Sequence, residues 1–170
     1  MECLPDIIDY RLKILFIGFN PGLRSASIGH HYANKSNNFW KLLFESGLTS
    51  YKFAPEEDRG LIEIGYGSTN IVERPTRGAS EISTSEYRAG SIILKNILEK
   101  YKPQIACYVG IGVYRIFTRK QDVKCGIQAC SAVDGIADYV CPSPSGLNRM
   151  PYHVKLEYFK GLRDLLYGKI

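Results

Sequence analysis

Two segments far apart in the chain carry the side chains and main-chain groups from which one reactive cleft could be built. The early one is Phe16-Ile17-Gly18-Phe19-Asn20-Pro21-Gly22; the late one is Cys141-Pro142-Ser143-Pro144-Ser145-Gly146-Leu147-Asn148-Arg149. Each is an apolar run that stops abruptly in Pro, Gly and Asn or Ser. In an open α/β sheet, ligands bind where strands give way to loops at their carboxyl ends, so two such loops can form two sides of one site. In the early loop Pro21 fixes φ and removes a donor. Gly18 and Gly22 let a ligand come close to the main chain, and Asn20 offers both an amide donor and a carbonyl acceptor. In the late loop an apolar tip, Leu147, stands beside a cation, Arg149. An apolar wedge with a basic neighbour is a device for prising apart stacked bases.

The elements that must hold these loops follow from periodicity and punctuation. The apolar run at 12–17 ends in glycine and predicts a buried strand. Asn37 or Asn38 caps a predicted helix that runs to Ser46, with Gly47 as its stop. Residues 51–67 are polar and punctuated by glycine, and predict a loop with a short helix. A helix is expected from Ser85 or Glu86 to Tyr101, because Ile93, Leu94, Ile97, Leu98 and Tyr101 repeat at three and four; Pro103 enforces its end. Further strands are predicted at 105–109, 127–130 and 136–141, a short helix at 113–117, and a last helix at 152–167 with Tyr158, Leu162, Leu165 and Leu166 on one face. This alternation predicts a three-layer α/β/α fold with a mostly parallel central sheet, in one domain over residues 1–170.

Composition narrows the function classes. The chain has 170 residues, 45% of them hydrophobic, which suits a globular protein with its own core. No run of about 18 apolar residues exists, so no membrane span is expected, and the start of the chain lacks the pattern of a signal peptide. The net charge of +5 is compatible with a polyanionic partner and equally with a solvated surface. Its basic clusters are Arg115, Arg119 and Lys120, and Lys155, Lys160 and Arg163. Five scattered cysteines without a Cys-x-x-Cys argue against a disulfide scaffold and for a reducing, intracellular compartment. That means cytoplasm or nucleoid, or nucleus in a eukaryotic source. His30 and His31 have no carboxylate or cysteine at ligand spacing, so no metal site is expected. Gly110-Ile111-Gly112 is only a fragment of a dinucleotide fingerprint, with Arg115 where its last glycine is needed.

The two loops closely resemble those of the mismatch-specific uracil-DNA glycosylases and thymine-DNA glycosylases, family 2 of the uracil-DNA glycosylase superfamily. Gly18-Phe19-Asn20-Pro21-Gly22-Leu23 is similar to that family's first motif, and Ser143-Pro144-Ser145-Gly146-Leu147-Asn148-Arg149 to its late one. Gly29-His30-His31-Tyr32, Asn38-Phe39-Trp40-Lys41 and Thr69-Asn70-Ile71-Val72-Glu73-Arg74 lie between them in family order, and the resemblance runs from about residue 12 to residue 166.

The resemblance implies a base-excision repair enzyme that flips uracil, and less well thymine or other damaged pyrimidines, out of G·U or G·T mismatches. Water then cleaves the N-glycosidic bond. It implies that Asn20 and Thr69 place the water, and that Gly18, Phe19, Ser25, His31, Tyr32 and Asn38 bind the base, with Tyr32 stacking on it. Ser145, Gly146, Leu147, Asn148 and Arg149 would form the wedge and read the widowed guanine. Ser25 stands where thymine-directed members carry Ala, which implies a tighter fit against the thymine methyl. No lysine occupies the first motif, so a monofunctional enzyme is expected, acting as a monomer on double-stranded DNA without metal or organic cofactor. An iron–sulfur cluster, found in other uracil glycosylases, does not suit the cysteine spacing here.

Read from the residues alone, plainer roles stand beside these. Asn20 would cap a turn, Thr69 would be a strand-end hydroxyl, Tyr32 would pack in the core, Leu147 would be a solvent-facing turn residue, and Glu63 an exposed acid rather than part of the pocket floor. Ile111 stands where the family often carries a phosphate-contacting lysine, which puts that contact in doubt. The alternative function is a non-catalytic protein that binds mismatched or abasic DNA; it would keep Leu147 and Tyr32 without needing Asn20 and Thr69.

Overall fold

The computed structural model describes residues 3–169. Five strands, β1 (Ile14–Gly18), β2 (Tyr66–Asn70), β3 (Ile105–Val109), β4 (Gly126–Ile127) and β5 (Ala137–Cys141), form one sheet in the order β2-β1-β3-β5-β4. The first four positions in that order are parallel to one another, and β4 runs antiparallel along β5 at the edge. Among the described residues there are also five helices, α1 (Leu23–Ile28), α2 (Phe39–Glu45), α3 (Thr84–Tyr101), α4 (Ile111–Thr118) and α5 (Tyr152–Leu166), and two 3-10 segments, Pro55–Ile64 and Ala79–Glu81.

Strand alternation divides the core in two. Ile14 and Phe16 of β1, with Cys107 and Tyr139, face α2 and α5 through Phe39, Leu43, Phe159 and Leu162. Leu15 and Ile17, with Ala106, Tyr108 and Val140, face α3 and α4 through Leu94, Leu98, Val113 and Tyr114. The result is the three-layer, mostly parallel architecture expected from the alternating elements. Among the described residues no helix is long and apolar enough to cross a membrane.

Several boundaries differ from the sequence reading for physical reasons. β2 was not expected, its first two residues falling in the loop predicted at 51–67, because Tyr-Gly-Ser-Thr-Asn has no apolar run; its register against β1 (Ile14 to Tyr66, Gly18 to Asn70) buries the polar Ser68 and Thr69 instead. The N-terminal segment shields this edge: Ile7 and Ser68 exchange main-chain hydrogen bonds of 2.9 and 2.8 Å. The short α1 follows Pro21 and Gly22 directly and was not anticipated. The strand expected at 127–130 shrinks to β4. On α3 the buried stripe is Gly90, Leu94 and Leu98, and Ile93 is exposed. Its start is a capping box, with Glu86 N–H donating to Ser83 Oγ and Ser83 N–H donating to Glu86 Oε2. Of the five cysteines, all free, only Cys107 and Cys141 are buried.

The chain leaves β1 toward β2 and later crosses back to β3 on the other side, so strand order reverses between β1 and β3. That is the place where such sheets open a crevice at their carboxyl ends.

Candidate active site

A cleft of about 520 Å³ opens at that point. It is bordered by the loop after β1 (Gly18–Gly22), by Tyr32 and the residues after it, by Asn70 and Thr76 beyond β2, and by Ser143, Pro144, Ser145, Leu147 and Asn148 beyond β5. The early and late motifs, 125 residues apart, thus face one space. Asn38 ties their supports together, its N–H donating to Pro144 O at 2.9 Å; it does not itself border the cleft, whereas Asn37 does.

Asn20 is held by its amide. Nδ2 donates to Arg74 O and to Thr76 Oγ1, both at 2.8 Å. Thr76 Oγ1 in turn donates to Gly78 O at 2.8 Å, so it can only accept from Asn20. Arg74 O is also an acceptor, which fixes the amide orientation. Both amide hydrogens are engaged, and Oδ1 is the atom left to accept from a ligand. The strap at 70–78 that supplies these partners is sewn to the early loop by Ile71 N–H to Gly18 O and Val72 N–H to Phe19 O, each 2.9 Å. It is also tied to α3, because Arg74 Nε reaches Glu86 at 2.6 Å. Arg74, aided by the Ser83 bonds, holds the Glu86 carboxyl down at about 2, so this tie persists far into acid.

The structure corrects the place given to Thr69. Strand alternation sends its side chain to the α3 face with Ile17, its partner in register. It is 1% exposed and does not border the cleft. The threonine beside Asn20 is Thr76. The next strand residue, Asn70, points the other way and does border the cleft; a Cβ at Gly18 would lie 2.7 Å from its Oδ1.

The pocket floor is aromatic and rigid. Tyr32 has a positive φ of 52° and lies flat on the buried Phe39, with centroids 3.7 Å apart and 16° between planes. Burial pushes its phenol far up, which keeps it neutral. Ser25 is buried, borders the cleft and accepts from Ala33 N–H at 3.0 Å. Phe19 borders the cleft, and its ring packs toward Gly112 and Tyr87. His31 is 3% exposed and fully engaged: Nε2 bonds Pro5 O at 3.0 Å and Nδ1 bonds Ser68 Oγ at 2.9 Å. Because Pro5 O only accepts, Nε2 carries the proton and Nδ1 accepts from Ser68. Its main-chain N–H donates to Asp58 at 2.8 Å. Glu63 is exposed and away from the cleft.

Burial holds the His31 pKa below its ordinary 6.5, and this carries a stability prediction. Between the lowered folded value and 6.5 the unfolded chain binds more protons, so stability rises with pH there and falls on acidification. Melting temperature should therefore drop from pH 7 to pH 5.5. The His31→Gln variant should show a shallower slope, by up to roughly 1.4 kcal/mol per pH unit within that window. Parallel slopes for the two proteins in thermal melts would refute it.

The late loop stands free at its tip. Leu147 is 87% exposed, while Gly146 presses on Ser36, whose main-chain O would lie 2.9 Å from any added Cβ. Asn148 braces the loop from within, donating to Ser143 O at 2.9 Å and accepting from Met150 N–H at 3.1 Å. Arg149 is exposed and outside the cleft border.

Residues 5–166 match the uracil DNA glycosylase superfamily. The chain belongs to that superfamily. Its fold is also that of a candidate uracil DNA glycosylase from Methanosarcina acetivorans, solved in solution by NMR: the TM-score is 0.66 at 22% identity, over 98% of each chain. Membership in the uracil DNA glycosylase superfamily supports a DNA glycosylase, a hydrolase that acts on DNA. Two cleft residues, Asn70 and Thr76, were not singled out from sequence. Asn70 sat inside a quoted motif and Thr76 two residues beyond it, and only the path of the strap brings them to Asn20.

Proposed function

We propose that this protein is a monofunctional uracil-DNA glycosylase directed to mismatches with guanine. The observation that carries this reading is the Asn20 amide, whose hydrogens are both engaged by Arg74 O and Thr76 Oγ1. An amide is a poor base, so Asn20 contributes position: Oδ1 accepts from a water and aims its oxygen at C1′ of the flipped nucleotide. The water adds to C1′ as the N-glycosidic bond breaks. The electron pair leaves with the uracil ring, and the water's proton is lost to solvent. Donors on the cleft wall, including the Asn70 amide, stabilise the charge growing on the uracil oxygens. The Tyr32–Phe39 stack supplies a flat platform for an extruded base, and among the described residues no lysine borders the cleft to form a Schiff base with the sugar.

Two features support the finer substrate choice. Leu147 projects beside the cleft where a wedge would fill the gap left by the flipped nucleotide. Ser25 is pinned by Ala33, so the pocket wall it forms cannot easily retreat from a C5 methyl. Single-turnover excision on labelled duplexes tests both. Uracil should be released from G·U faster than from A·U, and thymine from G·T at least about tenfold more slowly, the discrimination one methyl affords. Duplex binding with no excision from any of them would instead establish a non-catalytic lesion-binding protein.

A further inference from the structure

Lys155 was placed by sequence among the basic surface clusters, but the structure buries it to 3% exposure in the first turns of α5. Its position is unfavourable three times over. A cation near a helix N-terminus opposes the helix dipole. Among the described residues no carboxylate pairs with it. An apolar side chain would bury there at lower cost. Its ammonium is satisfied by main-chain oxygens alone: Nζ donates to Asn148 O at 2.9 Å and to Ser145 O at 3.2 Å. These two carbonyls bracket Leu147.

We propose that Lys155 is a positioning residue for the late loop, fixing the peptide planes on both sides of Leu147 and so setting the tip that enters the duplex. The inference rests on the wedge reading above. In a trans peptide the carbonyl and the following N–H point in opposite directions, and the described residues contain no cis bond. Turning Ser145 O and Asn148 O inward to Lys155 therefore sends the N–H groups of Gly146 and Arg149 outward. Neither is spent inside the loop, whose internal bonds come from the N–H groups of Ser145, Leu147, Asn148 and Met150. One buried charge thus holds the apolar tip and two main-chain donors in a fixed relation before DNA arrives. Burial also pulls the ammonium below the ordinary lysine range, as a desolvated cation requires.

The test uses a duplex with non-cleavable 2′-fluorodeoxyuridine opposite guanine and 2-aminopurine beside it, whose fluorescence rises when its stack is opened. At saturating protein the wild type should raise that signal. Lys155→Met, checked for folding by thermal melting, should lose at least about half of the rise, because unstacking depends on the wedge. A merely structural lysine would not change the signal of a folded, saturated variant. A folded Lys155→Met with the full rise overturns the role of Lys155 alone. A wild type that gives no rise overturns the wedge reading on which it rests. Where Lys155→Met does not fold, Lys155→Gln, uncharged and one bond too short to reach both carbonyls, takes its place. Full fluorescence from it, or failure of both variants to fold, makes Lys155 a residue of the fold and overturns the proposal.

Discussion

Asn20→Ala should lower single-turnover excision of uracil opposite guanine by at least about a hundredfold, roughly 2.7 kcal/mol of transition-state stabilisation, while duplex binding survives. The size follows from what the amide does. Two hydrogens spent on Arg74 O and Thr76 Oγ1 leave one acceptor, and its placement is the contribution this side chain can make to a water attack. Alanine removes the acceptor and leaves the fold's larger contacts intact. Asn20→Asp should fare little better, because a carboxylate cannot donate to the Arg74 carbonyl and must turn away from it. Thr76→Val removes one of the two anchors and should cost about tenfold. Thr69→Val, on the opposite face of the sheet, should cost less than Thr76→Val. The reverse order in the same assay would restore Thr69 as the partner of Asn20 and remove Thr76. Loss of duplex binding together with excision in Asn20→Ala would mean that the residue shapes the cleft rather than places water.

The contrast between Thr69 and Thr76 shows where sequence reading stops. The strands at 14–18 and 105–109 were legible because both faces of a parallel sheet are buried, which leaves an unbroken apolar run in the sequence. Helix α3 was legible from its three-and-four period and from Pro103 at its end, whereas the capping box at Ser83 was not read. The cleft's two loops were legible because Pro, Gly and Asn at a strand end carry a local signal. β2 gave none: Gly67 and Ser68 hold their places by close approach and by hydrogen bonds to β1 and Ile7, which only the register reveals. Once β2 is a strand, alternation decides which side of the sheet Thr69 faces, and a one-residue difference moves a hydroxyl from cleft to core. Lys155 was illegible for a related reason. Nothing local distinguishes a lysine on a helix face from one turned under a distant loop, and its acceptors are main-chain oxygens that any residue could supply.

Gly90→Ala should destabilise the protein by about 3 kcal/mol or more, a fall in melting temperature of roughly 6–12 °C for a chain of this size. An alanine inside an exposed stretch of helix would normally stabilise by about 0.5–1 kcal/mol relative to glycine. Here the sign reverses, because a Cβ at Gly90 would fall well inside contact distance of the Ile71 main-chain carbonyl, and a backbone cannot rotate away as a side chain can. Either α3 or the segment after β2 must move. That segment is the start of the strap that holds Asn20, sewn to Gly18 and Phe19 by the N–H groups of Ile71 and Val72. The same helix anchors the strap's far end through Glu86 and Arg74. Packing error at Gly90 is therefore transmitted to the amide at both ends of one short connection. Excision measured well below the melting temperature should fall along with stability. Ile92→Ala, two residues on but 66% exposed, should leave both nearly unchanged. A Gly90→Ala protein that melts like wild type would mean that α3 rides loosely on the sheet. Glu86 would then have no rigid base from which to hold the strap, and the support argued for Asn20 would have to come from the early loop alone.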